Sequence, residues 1–388
     1  MHPSAAELRL KLSNLPSFQE ESLNKKLLIA VVGATLVAAP MLAVQAVQAA
    51  PTVYGSLHIS LDNYDVDQTN TSREIGVLNN NSSRFGLKGD EDLGGGLKAI
   101  WQMESGIFNV DSGTSGLGNT LRNTFVGFSD SAWGLVKLGR HDSPMKDLGR
   151  SIELFNEQVG DARNITGLRA NNTTNIFDTR VSNMIRYESL NMGGIKAALQ
   201  YSIPEGTPAN LRQTSLNVTW TGGPMYAGFG YETHGLGTKV NGTDNEKIYR
   251  LVGKYSMDDL TFGALYEQSS DLNGKSGDDR SAWGLGAGFK MANNMLKAQY
   301  YSVDQSDKNA AAANGSKDNS GKLWALGVDH TFSKTTLVYF AYAVAENGDG
   351  STGINPSSAN GGHGTDGPAV SKLGGDGTVY SFGTIMKF

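Results

Sequence analysis

An all-β fold, a transmembrane antiparallel β-barrel of about sixteen strands, is what the sequence predicts, and three observations predict it. Apolar and polar residues alternate along many short stretches, giving each stretch one apolar face. Short turns and long polar connections alternate along the chain. Beyond residue 50 no apolar run is long enough to cross a bilayer as a helix.

Composition bounds the reading. Of 388 residues 49 are glycine, well above the usual ~7%, and only 39% are hydrophobic. Cysteine is absent, which excludes a disulfide framework, a cysteine-ligated metal centre and a thiol nucleophile. It also suits a chain that crosses an oxidising periplasm. A net charge of −5 argues against a nucleic-acid partner, which calls for a basic surface.

The first element is a leader. Lys25 and Lys26 precede an apolar run from Leu27 to about Val47, and Val47-Gln48-Ala49 closes it with small residues. That order describes a secretory signal peptide over residues 1–49 rather than a membrane-spanning helix, and Pro40 favours cleavage. Glu20 and Glu21 sit awkwardly before the basic region, so translation is expected to begin near Leu23. Without residues 1–49 the chain holds 29 basic and 35 acidic side chains, a net charge of −6.

Residues 50–388 form the predicted barrel. Ala99, Trp101 and Met103 share one face, opposite Lys98, Gln102 and Glu104. The last stretch sets Tyr380, Phe382, Met386 and Phe388 against Ser381 and Lys387. Short turns are expected at Asp90–Gly95, Ser129–Gly134, Leu190–Gly194, Thr221–Pro224, Ser256–Asp259, Met291–Asn294 and Phe332–Thr335. Long polar connections are expected at Val66–Asn81, Asn109–Gly118, His141–Thr179 and Pro204–Leu211. Four more follow at Thr233–Asn245, Ser269–Asp279, Asp304–Ser320 and Glu346–Gly375. Fifteen connections join about sixteen strands. Short periplasmic turns and long extracellular loops mark an outer-membrane barrel.

A soluble sandwich would need a second layer against each apolar face and no such asymmetry of connections. In a closed barrel those faces meet lipid, polar faces line water, and every backbone group finds a partner. Glycine then fits crowded strands and turns. Trp133, Trp220, Tyr187, Tyr201, Tyr226 and Tyr255, near strand ends, suit the lipid–water interfaces.

The chain resembles the Gram-negative general porin family, of the trimeric sixteen-stranded type, over essentially all of Ala50–Phe388. The likeness rests on Ser83-Arg84-Phe85-Gly86-Leu87-Lys88-Gly89, then Glu91-Asp92-Leu93-Gly94-Gly95-Gly96-Leu97-Lys98-Ala99. Arg122-Asn123-Thr124-Phe125-Val126-Gly127-Phe128, Leu138-Gly139-Arg140 and Arg180-Val181-Ser182-Asn183-Met184-Ile185-Arg186-Tyr187 are similar too. The terminal Phe388 resembles the signal read by the barrel-assembly machinery. The resemblance implies a homotrimer in the outer membrane, amid lipid and lipopolysaccharide, passing small hydrophilic solutes and ions.

It further implies that His141–Thr179 folds into the lumen and narrows it. Glu153, Glu157 and Asp161 match the acidic tip of such a loop, although the usual Pro-Glu-Phe-Gly core is missing. Arg84, Arg122 and Arg180 match the basic wall opposite, with Arg140 a further candidate. Carboxylates facing guanidiniums across a narrow water path would orient dipolar solutes and reject apolar ones.

Other chemistry has little support. The six histidines lack ligand spacing, so no metal or cofactor is expected. Asn273-Gly274-Lys275-Ser276 lacks the first glycine of a phosphate loop, and Asp65-x-Asp67 fails to continue as a calcium loop. No nucleophile motif supports an enzyme. The expected function is a water-filled diffusion pore, with a substrate-selective channel or a surface receptor or adhesin as alternatives.

Overall fold

The computed structural model describes residues 50–69, 72–107, 117–167, 177–205, 212–240, 243–305, 320–350, 354–357 and 368–388. The expected leader lies outside them. Eighteen strand segments among the described residues make one antiparallel sheet. The first are β1 (Thr52–Asp67), β2 (Ser72–Asn80), β3 (Arg84–Gly94), β4 (Leu97–Ile107), β5 (Leu117–Leu121), β6 (Thr124–Asp130) and β7 (Gly134–Asp142). After a short helix, α1 (Pro144–Arg150), come β8 (Arg180–Glu188), β9 (Ile195–Ser202), β10 (Gln213–Gly222), β11 (Met225–Val240) and β12 (Thr243–Met257). The last are β13 (Leu260–Ser270), β14 (Arg280–Met291), β15 (Asn294–Gln305), β16 (Gly321–Thr331), β17 (Thr336–Asn347) and β18 (Gly377–Lys387).

The sheet closes on itself. β18 pairs with β1 from Ser56 opposite Lys387 to Val66 opposite Gly377. Two staves are each made of two segments. β2 and β3 lie end to end along β1, which pairs with β2 over Ile59–Asp67 and with β3 over Thr52–Ser56. β5 and β6 share β4 in the same way. Eighteen segments among the described residues therefore form a sixteen-stave barrel whose first and last staves are paired.

Period-two patterning decides which side each residue faces. On β12, Leu251, Tyr255 and Met257 are exposed on the outer surface, while Arg250 and Val252 are buried within. On β18, Tyr380, Phe382 and Met386 are exposed and Val379 and Ser381 are buried. Six of the short turns fall where the sequence places them, as between Met291 and Asn294, whereas β3 runs on through most of Asp90–Gly95 and turns only at Gly95 and Gly96. Tyr187 and Tyr255 lie exposed beside such turns, and the Tyr187 hydroxyl donates to the Trp133 carbonyl at 2.7 Å.

Two expected loops are corrected. Val66–Asn81 contains all of β2, and Thr233–Asn245 is mostly the hairpin of β11 and β12. Both segments project as strands that are polar enough to hide the apolar alternation by which a strand is read. The long connection between β7 and β8 runs inward. Its side chains pack on the inner surface of β11 to β17, where glycine and alanine leave room. A Cβ at Gly228 would strike Leu148, one at Gly327 would strike Phe155, and Gly160 itself lies against Ala325. Many glycines attributed to crowded strands and turns are thus seats for this loop.

Candidate functional site

The inner loop starts at a helix cap. Ser143 Oγ accepts the Lys146 N–H at 3.2 Å and proline follows at the first helical position, which starts α1. Leu148 and Met145 are buried against the wall, while Lys146 lies one turn beyond Asp142 and one before Arg150.

Wall side chains hold the loop's backbone. Asn217 Nδ2 donates to the Pro144 carbonyl (2.7 Å), Lys254 to that of Ser151 (2.8 Å) and Gln299 to that of Gly160 (2.6 Å). Arg250, fully buried, bridges Asp178 near the loop's end to Glu267 on β13. A buried guanidinium needs such partners, because an unpaired charge there is costly.

Across the lumen the wall is irregular where the arginines enter. Asn81, Ser82 and Ser83 interrupt the second stave, with Ser82 at φ 62°. Side chains replace the ladder there: Ser83 Oγ accepts the His58 N–H at 2.9 Å, and Asn81 Nδ2 donates to Ser60 Oγ at 2.7 Å. Arg84 begins the next segment. Arg122 and Asn123 fill the second break. Asn123 Oδ1 accepts the Asp142 N–H (3.0 Å) and Arg180 Nε (2.9 Å). Breaks of this kind bend a strand and re-aim its side chains.

The result is a compact charge cluster. Arg84 Nη1 lies 2.8 Å from Glu157 Oε2 and Arg122 Nε 2.7 Å from Glu104 Oε1. Arg180 Nη2 and Lys146 Nζ each lie 3.0 Å from Asp142 Oδ1. Arg150 reaches both Asp142 and Glu157, at 3.5 and 3.6 Å, and Arg122 also approaches Glu157 at 3.6 Å. Five cations therefore share three carboxylates. Two arginines keep more surface: the side chains of Arg84 and Arg150 are 25% and 23% exposed, whereas Arg122 and Arg180, at 12% and 10%, are nearly as recessed as Glu157 and Glu104 at 9%.

Burial opposes ionisation of Glu157, but Arg84, Arg150 and Arg122 outweigh it and hold the carboxyl at about 2. Desolvation, then the Asp161 carboxylate, push Glu153 up to about 7. Burial lowers Lys146 to about 7 against the pull of Asp142, with Arg150 adding to the effect.

The structure thus brings together Arg84, Arg122, Arg180 and Glu157. Glu157 meets Arg84 directly, without an intervening water path. Glu153 instead accepts the N–H groups of Phe155 (2.8 Å) and Ala162 (3.1 Å) and closes the loop's turn. Asp161 caps a single 3-10 turn and pairs with Arg163 at 2.7 Å. Arg140 stands in the same row as exposed Leu138, bonding the Leu121 carbonyl and Ser182 Oγ. Sequence reasoning missed Arg150, Lys146, Asp142 and Glu104. The Ser143-Pro144 pair was the available signal for the helix that carries two of them.

Comparison with known proteins identifies the family and the fold. A family model described as Gram-negative porin matches residues 30–350. Outer membrane porin protein 32 of Delftia acidovorans is 29% identical over 79% of this chain and 86% of its own length. Major outer membrane protein P.IB of Neisseria gonorrhoeae is 24% identical over 85% of this chain and 96% of its own. The structure of an anion-selective porin from Comamonas acidovorans superposes with a TM-score of 0.72 and 26% identity, covering 87% of this chain and 99% of that one. A trimer form of OmpT from Vibrio cholerae shares the fold, with a TM-score of 0.63 at 16% identity, over 87% of this chain and 99% of that one.

Proposed function

This chain belongs to the Gram-negative porin family, and from that premise we propose that the cluster around Glu157 lines the constriction of its pore. The protein is a passive channel of the outer membrane, a closed barrel that crosses as strands. In this reading the loop between β7 and β8 narrows the lumen against Arg84, Arg122 and Arg180. Homotrimerisation is proposed from the family and from the OmpT trimer. Residues 1–49 are read as the export signal, and Phe388 as the residue recognised during barrel assembly. The outer apolar band meets membrane lipid, including lipopolysaccharide.

One observation carries the further reading that the pore prefers anions: the Arg84 and Arg150 guanidiniums are the most exposed charges of the cluster, while the carboxylates they bind are recessed. Below the Lys146 midpoint of about 7, five cations against three carboxylates leave a local excess of two positive charges. Such a ring raises the local concentration of anions and repels cations. The net charge of the whole chain is negative, but loop charges more than a Debye length away are screened. The solved anion-selective porin supports the same reading.

Single-channel recording in a planar bilayer tests it. We expect open-channel currents and, under a potassium chloride gradient, a reversal potential on the chloride side. A cation-side reversal potential would refute the anion preference. Conductance that saturates with one solute would favour a substrate-selective channel, and no conductance would refute the pore.

A further inference from the structure

We propose that the Glu157 carboxylate occupies an oxyanion site as a tethered stand-in, and that small carboxylate solutes pass the constriction by exchanging with it. The inference rests on the constriction reading above and deepens it by naming the solute class. Arg84 Nη1 contacts both Glu157 oxygens, at 2.9 and 2.8 Å, and Arg122 and Arg150 each present a guanidinium nitrogen 3.6 Å from Oε1. Arg122 is shared with Glu104 and Arg150 with Asp142, yet both still turn a nitrogen toward Glu157 beside the direct Arg84 contact. Planar forks of donors match a carboxylate better than a spherical ion.

The backbone points the same way. Glu157 sits at φ 62°, a left-handed conformation that its Cβ disfavours. The turn is held by Asp161, whose Oδ2 accepts the Glu157 N–H at 2.9 Å and is itself 2.7 Å from Arg163 Nη2. Asp161 is therefore a positioning residue. The loop adopts an unfavourable backbone geometry and presents an anionic side chain to three arginines. A tethered group competes at an effective concentration that a dilute solute cannot match. Free carboxylates then meet arginines already engaged, so they cross without accumulating.

Acetate conductance of the full-length protein in planar bilayers tests this, with Glu157→Asp and Glu157→Gln beside the wild type. Aspartate keeps the charge but is one methylene shorter, and it tolerates the left-handed backbone better than glutamate. Both variants should saturate with acetate at a concentration lower by about tenfold than the wild type. In the Glu157→Asp background, Arg150→Gln should raise that concentration again. Wild-type behaviour of Glu157→Asp with a change only in Glu157→Gln would reduce the effect to charge and overturn the proposal. An absence of lowered saturation in both variants would overturn it too. Neither outcome touches the constriction reading, which the reversal potential of an Arg84→Ala/Arg122→Ala variant decides.

Discussion

Lys146 lies on the inner helix with its ammonium 3.0 Å from Asp142, among the charges of Arg150, Arg163 and Arg180. Asp142 is shared by three cations and stays occupied, so the dry, crowded lysine is the group that yields its proton. With its midpoint lowered to about 7, it is charged below that pH and neutral above. Glu153, raised to about 7, gains negative charge over the same interval. Both changes subtract from the positive excess. Anion preference should therefore fall between about pH 6 and about pH 8. Reversal potentials across that interval check it, and Lys146→Met should flatten the dependence. Some of this site was legible in the sequence: motif singles out Arg84, Arg122 and Arg180, and alternation along β3 sets Arg84 with Gly86 and Lys88, opposite Phe85 and Leu87. Parity also separates Arg140, which follows Leu138 on the outer row. Arg150 and Lys146 depend on a seven-residue helix inside a loop, too short to leave an apolar period.

Strands and turns were the most legible elements, since each short turn is marked by glycine, asparagine, aspartate or proline between alternating runs. The hairpin of β11 and β12 and the segment β2 were read as loops because their polar sequence mutes that alternation. The breaks at Asn81–Ser83 and Arg122–Asn123 were not legible either. They depend on side chains of neighbouring staves, such as Asp142 with Asn123. The glycine row under the inner loop carries a prediction of its own. Gly327→Leu would drive a side chain into Phe155, an overpacking of about 1–3 kcal/mol. The loop should shift toward the pore axis and single-channel conductance should fall while the barrel stays folded. Unchanged conductance in folded Gly327→Leu channels would show that this seat does not set the pore's width.

At the level of the whole molecule, the chain reverses the usual plan by turning its apolar faces outward, so 39% hydrophobic residues suffice without a large central core. Closure joins first and last strands. Gly55 N–H donates to the Phe388 carbonyl at 2.9 Å, Phe388 N–H returns to Gly55 at 3.2 Å, and the phenyl ring lies over the glycine. A side chain at Gly55 would occupy the ring's place. Gly55→Val should therefore lower the yield of folded barrel, read as the heat-modifiable fraction in electrophoresis, and Gly55→Ala should lower it less.

Permeation in this porin turns on Arg84 and Arg122 facing the narrowest part of the water path. The reversal potential of the Arg84→Ala/Arg122→Ala double variant under a salt gradient tests it most directly. Loss of the two guanidiniums should shift it toward cations relative to the wild type, with folded channels still conducting. A reversal potential equal to that of the wild type would contradict it.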